Sequence, residues 1–271
     1  MNIICPEQKS IICPDHKLGG FFSCCSIKLA YIVLYIKFFS KFPDYVDSSK
    51  LFRLYKEDND NDITYNYFEH YNNINEIINK DTPIEEIFEN SQYNIYSLLN
   101  HKSTYPVIKK YFSPSNNILK IIKDMENKYN IDYNNICVLF YRGNDKNRET
   151  SICKYDEYLI YANKILDINP NVLFLIQSDE TEFINFIRER FPNNSFYFND
   201  ETRHISKCDS TVDIIMRDKN SIFSKYYLAI TIIMSKCKYI ICGSGNCSFW
   251  IILYRGNSDN VYQNLNNKWH L

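Results

Sequence analysis

From residue 135 onward the chain alternates short apolar runs with amphipathic segments, and this rhythm constrains the fold more than any other feature. The runs "NICVLFY", "NVLFLIQ", "SFYF" and "KYIIC" read as strands, while "KYDEYLIYANKILDI", "ETEFINFIRERF", "SKYYLAITIIMSK" and "NCSFWIILY" read as helices. Strands this apolar, separated by helices of that length, predict a parallel sheet covered on both faces. The C-terminal part is therefore an α/β, Rossmann-like lobe. Just before it, Ser115 can cap a helix with apolar residues at 118, 121, 122 and 125, the spacing of one helix face. The lobe boundary is expected near this helix, dividing the chain into 1–115 and 116–271.

The N-terminal lobe is less regular. Short apolar runs at 2–5 and 11–13 precede Gly19 and Gly20, which mark a tight turn, and Ser23 could cap the long apolar helix that follows. An extended piece at "DYVDSS" comes next, then a polar, poorly periodic stretch from 56 to 90. The most apolar window, 29–39, falls short of the ~20 residues that span a bilayer, and Lys28 and Lys37 flank or interrupt it. It reads as a core helix, with no membrane span expected.

With 271 residues, 45% of them hydrophobic, the chain can bury one large core or two lobes. A net charge of -1 offers no broad footprint for nucleic acid or an anionic membrane, so an anion must be held by a local cluster. The start "MNIICPEQKS" lacks a basic region and a long apolar core, so the ten cysteines read as reduced, buried thiols of an intracellular, cytoplasmic protein. Sequons at Asn193 and Asn246 are expected by chance in a chain so rich in Asn.

In open parallel sheets ligands bind beyond the carboxyl ends of the strands. Four polar loops fall there: "RGNDKNRE" after the first strand, "SDE" after the second, "NDETRH" after the third and "GSGN" after the fourth. Arg142 offers a planar fork of donors for phosphate oxygens, and Lys146 adds a mobile charge. The turn Gly243, Ser244, Gly245 and Asn246 brings backbone N–H groups at a helix start close to an anion. Together they describe a diphosphate site. Plainer roles are open to each: a salt bridge from Arg142 to Asp145 or Glu149, a simple strand-to-helix turn at "GSGN", and a pair between Glu149 and Arg148.

Other motifs are weaker. Asp58, Asp60, Asp62 and Glu69 have calcium-loop spacing, but Ile63 stands where the loop needs Gly. Cys13 and His16 have no second pair at zinc spacing. His204 reads as a surface histidine, and Tyr226, Tyr227 and Ile230 as core or lid packing. No G-x-G-x-x-G follows the first strand of either lobe, which argues against a dinucleotide-dependent dehydrogenase.

"VLFYRGNDK" with Glu149 and "YDEY", then "VLFLIQSDE", then "LAITIIMSKCKYIICGSGNCSFW" resembles the three motifs of the GDP-fucose-dependent α1,6- and protein O-fucosyltransferase superfamily. "GGFFSCCSIKL" is similar to that superfamily's glycine loop. The resemblance implies a GT-B fold of two Rossmann-like lobes, with the donor site at the strand C-terminal edge of the second lobe. It implies an inverting, metal-independent glycosyltransferase with no cofactor beyond a nucleotide-sugar donor, GDP-fucose, and a glycan or protein-linked acceptor. Residue by residue, it implies that Arg142 and Lys146 bind the diphosphate, that Glu149 is the catalytic base, that Asp179 is the second motif's acid, and that Ser244 and Gly245 take the place of a phosphate-binding Ser pair. Where the family often has a guanine-reading His, this chain has Phe140, and the Asp common on the helix before the last strand is absent. A non-catalytic nucleotide-sugar or glycan-binding protein is the other reading these residues allow.

Overall fold

The computed structural model describes residues 4–5, 10–15, 19–57, 64–69, 87, 89–199 and 204–271. His16, the calcium-spaced residues Asp58, Asp60 and Asp62, and residues 200–203 of the third loop lie outside the described residues.

In the N-terminal lobe, β1 (Ile4–Cys5), β2 (Ser10–Ile12) and β3 (Tyr45–Asp47) form a sheet in that order, with β2 and β3 parallel. The crossover between them is α1 (Phe21–Phe39), so the lobe contains a strand-helix-strand unit. Then come α2 (Thr64–Tyr67) and α3 (His101–Tyr111), and α4 (Asn116–Lys128) follows at the expected lobe boundary. The C-terminal lobe runs β4 (Ile136–Tyr141), α5 (Tyr155–Ile168), β5 (Leu173–Ser178), α6 (Thr181–Arg190), β6 (Ser195–Phe196), α7 (Val212–Ile215), α8 (Asn220–Lys236), β7 (Tyr239–Gly243), α9 (Asn246–Arg255), β8 (Val261–Leu265) and β9 (Lys268–His270).

The second sheet has the order β6-β5-β4-β7-β8-β9, parallel except for β9. The chain winds outward from β4 in one direction, then returns and winds outward from β7 in the other. The loops after β4 and β7 therefore part at the switch point, where doubly wound sheets open a crevice. All six residues of β4 are buried. Alternation sends Cys137, Leu139 and Tyr141 to the face covered by α5 and α6, and Ile136, Val138 and Phe140 to the face shared with α4, α8 and α9. Arg142 continues the even series, toward the N-terminal lobe.

One core holds residues of both lobes, from Ile11 to Val261. Phe22 of α1 stacks on Trp250 of α9 at 6.2 Å, Trp250 Nε1 donates to Ser26 Oγ at 3.0 Å, and Ser26 Oγ donates to Asn246 Oδ1 at 2.8 Å. These contacts lock the starts of α1 and α9 side by side.

Two expectations about α1 are corrected. Its N-cap is Gly20, and Ser23 lies inside the first turn, because the first intrahelical bond is already Cys24 N to Gly20 O at 3.0 Å. The helix also extends well beyond the 29–39 window: it has 19 residues, enough by length and apolarity to cross a membrane, so its length does not argue against a span. Eleven of its residues are buried in the core, Lys28 among them. Among the described residues nine cysteines are free thiols, all buried except the half-buried Cys208.

Candidate functional site

The loop after β4 is shaped by the loop after β5. Asp179 Oδ1 accepts from Gly143 N at 2.9 Å, and Glu180 Oε1 accepts from Asn144 N at 2.7 Å. Asn144 then ties the loop to its neighbours, its Nδ2 donating to Asp179 O at 2.9 Å and its Oδ1 accepting from Cys208 N at 2.9 Å. With its start fixed, the chain makes one 3-10 turn, Asn144–Arg148, in which Lys146 N donates to Gly143 O at 2.7 Å. Three residues per turn put Lys146 and Glu149 on the same side.

Arg142 faces two acids. Its Nη2 donates to Asp145 Oδ1 at 3.2 Å, and its Nε lies 3.1 Å from Asp179 Oδ2 at an angle that makes an ion pair without a hydrogen bond. Burial works against the guanidinium charge, but Asp179, Tyr227 and Asp145 outweigh it and raise the pKa, so Arg142 is a permanent cation.

Lys146 is buried at the base of the same crevice. Its Nζ donates to Glu149 Oε2 at 2.5 Å, to Tyr93 Oη at 3.0 Å and to Gln92 Oε1 at 3.3 Å. Desolvation lowers its pKa, and the bond to Glu149 only partly offsets this. For Glu149, desolvation pushes upward, but Lys146, Tyr93 and Arg142 outweigh it and hold the carboxyl below its ordinary value. The partner of Glu149 is thus Lys146, while Arg148 reaches Asp209 at 3.6 Å.

These groups line a cavity of about 510 Å³. Arg142, Lys146, Glu149, Gly245 and Asn246 are on its wall, and Phe140 and Tyr227 give it an apolar side. Gly20 and Gly245, the N-caps of α1 and α9, lie on the wall as well. The first-turn N–H groups of a helix have no partner within it, so both helix starts present donors and positive dipole ends to an anion. At Gly245 the missing side chain has a use: a Cβ there would lie 3.3 Å from Lys146 Cε, so glycine gives the lysine its room.

Three expected residues are near this cavity but not on its wall. Asp179 lies beneath the loop, paired with Arg142 and Gly143. Ser244 turns its hydroxyl away, donating to Asn264 O at 2.9 Å and accepting from Gln263 Nε2 at 2.8 Å. Gly243 accepts from Ser248 Oγ through its carbonyl at 2.5 Å. His204 is spent elsewhere, its Nδ1 lying 2.9 Å from Thr181 Oγ1.

The wall also contains residues that sequence reasoning missed. Gln92, beside Tyr93 on the 3-10 helix Glu89–Tyr93, comes from a stretch rich in Asn and Tyr with no readable period. Asp213 and Arg217 are on the wall too, and Asp213 is beside the start of α1, where a Cβ on Gly20 would lie 3.8 Å from its Oδ2. Their one sequence signal is Thr211 ahead of "VDII", and Thr211 does cap α7 by accepting from Ile214 N at 3.3 Å. Among the described residues no group of three or more His, Cys, Asp and Glu side chains could hold a metal ion.

No protein-family model matches the chain, and no curated protein matches it by sequence. Among solved structures it is similar to NodZ alpha-1,6-fucosyltransferase soaked with GDP-fucose, at 10% identity and a TM-score of 0.60, over 96% of this chain and 97% of that one. It is also similar to the same enzyme co-crystallized with GDP, at 8% identity and a TM-score of 0.52, over the same shares. The chain thus has a fucosyltransferase-like α/β fold of the GT-B type along nearly its whole length.

Proposed function

We propose that the chain is a fucosyltransferase-like glycosyltransferase, moving a sugar from a nucleotide diphosphate donor, GDP-fucose foremost, to an acceptor hydroxyl on a glycan or protein-linked group. The reaction inverts the anomeric centre and uses no metal. One observation carries this reading: Arg142, Lys146 and the starts of α1 and α9 converge on a cavity that also holds the Glu149 carboxylate. A volume near 510 Å³ suits a nucleotide-sized ligand. The fold neighbour's complexes with GDP and GDP-fucose support the choice of donor.

Glu149 accepts the proton of the acceptor hydroxyl as that oxygen attacks the anomeric carbon. The bond from that carbon to the phosphate oxygen breaks, and its electron pair leaves with the diphosphate. Arg142, Lys146 and the helix-start N–H groups stabilise the charge growing there. Asp179 acts at one remove, by holding Arg142 and the start of the loop. Phe140 and Tyr227 form an apolar side against which a base or sugar face can pack.

The pair between Lys146 and Glu149 favours a second reading, a nucleotide-sugar binder without turnover, because it occupies both the cation and the base. Thermal shift with GDP, UDP, CMP and their sugars, followed by donor turnover with EDTA, separates the two. The transferase reading expects stabilisation by GDP and turnover that survives chelation. Donor binding with no turnover supports the binder, and loss of all turnover with EDTA, restored by manganese, overturns the metal-free mechanism.

A further inference from the structure

Glu149 Oε2 receives two hydrogen bonds, one from each lobe. Lys146 Nζ lies 2.5 Å away on the adjoining 3-10 turn, and Tyr93 Oη, on Glu89–Tyr93, donates to the same oxygen at 2.8 Å. Tyr93 Oη also accepts from Lys146 Nζ at 3.0 Å, so the three groups close a ring. This ring adjoins the anion side of the cavity. A Cβ on Gly245, the N-cap of α9, would lie 3.5 Å from Lys146 Nζ, so a diphosphate seated at that helix start meets the lysine directly. Its oxygens then compete with Glu149 for the ammonium, and Tyr93 is the donor that stays on the carboxylate.

We propose that Tyr93 is the positioning residue of Glu149, holding the carboxylate in its ionised form at the cavity once Lys146 has turned to the donor. The proposal rests on the reading of Glu149 as the base. Tyr93 suits the role because burial, reinforced by Glu149 and Asp145, raises its pKa and keeps the phenol a donor. The charged groups facing Glu149 are Lys146 and Arg142, with Asp145 acting on both cations. Neither cation replaces Tyr93 when a diphosphate is bound, since both are then drawn to phosphate.

Tyr93→Phe tests this. It keeps the ring, whose centroid is 5.0 Å from Lys146 Nζ, and removes only the oxygen. A hydrogen bond to a carboxylate stabilises the charged form, so its loss moves the acid limb of the kcat profile to higher pH. We expect kcat on that limb to fall about tenfold, with GDP affinity within about twofold of the original protein. Carbon-13 NMR of the Glu149 carboxyl, assigned by its disappearance in Glu149→Gln, gives a readout independent of turnover and should show titration at higher pH in the ligand-free variant. An unchanged carboxyl titration overturns the proposal, as does a pH-independent loss of kcat together with GDP affinity, which marks a purely structural tyrosine. Failure of the original protein to bind GDP defeats the nucleotide reading instead, and the ligand-free carboxyl titration still decides the role of Tyr93.

Discussion

Gly143 and Glu180 approach so closely that a side chain at 143 is excluded: a Cβ there would lie 1.9 Å from Glu180 Oε1. Glu180 has no easy retreat. It is 1% exposed and held by Asn144 N and by the hydroxyl of Tyr155. The loop carrying Arg142, Lys146 and Glu149 is thus seated on a buried carboxylate, and its geometry depends on glycine at 143.

Gly143→Ala should therefore displace either Glu180 or the loop. Overpacking of this kind costs about 1–3 kcal/mol, several degrees in Tm for a chain of this size. Because the displaced loop carries both cations, GDP affinity should fall with Tm. Melting curves with and without GDP check this, and an unchanged Tm with unchanged ligand-induced stabilisation would refute the seating argument.

Arg142→Lys should weaken GDP binding by about 1.5–3 kcal/mol, one to two decades, because a single ammonium replaces a two-armed donor already aligned by Asp145 and Asp179. Calorimetry reads this directly. Unchanged affinity would make Arg142 an internal tie between the loops after β4 and β5.

His101 gives a pH dependence away from the site. Burial lowers its pKa from 6.5, opposed in part by Tyr96 and Asp259, and Nε2 lies 2.8 Å from Ser258 Oγ. The Ser258 hydroxyl donates to Tyr96 O at 2.6 Å, so Nε2 is the donor to Ser258, while burial favours the uncharged ring. Between the folded and unfolded pKa values the unfolded chain binds the extra proton, so stability is full above about 6.5 and declines as pH falls below it. Half-buried His204 is lowered in the same direction and adds to the slope. Tm measured from pH 7.5 to 5.5 should fall less steeply in His101→Gln, and parallel curves would remove His101 from the account.

The parts legible in the sequence are those whose physics is local. The run at 136–141 is apolar enough to announce a central strand, and the charge that follows it had to emerge at the strand's carboxyl end, beside "GSGN". Ser115 was legible as a cap because its hydroxyl acts on its own helix, accepting from Ile118 N at 3.5 Å. What stayed hidden depends on distant partners. Nothing near Tyr93 foretells Glu149, 56 positions away, and nothing in "GSGN" shows that Ser244 spends its hydroxyl on Asn264. Pro106 inside α3 disguised that helix. The β8–β9 hairpin was readable in principle: Asn266 and Asn267 sit at φ 51° and 60°, the two positive values that a type I′ turn requires.

The most direct test of the central claim pairs two quantities on one Glu149→Gln preparation, GDP affinity and GDP release from GDP-fucose, beside the original protein. Glutamine keeps the shape and removes the charge that ties Lys146, so GDP affinity should hold or rise slightly. Without a base, turnover should drop by about two to four decades. Near-original turnover in the variant, or no GDP release by the original protein, would contradict the account.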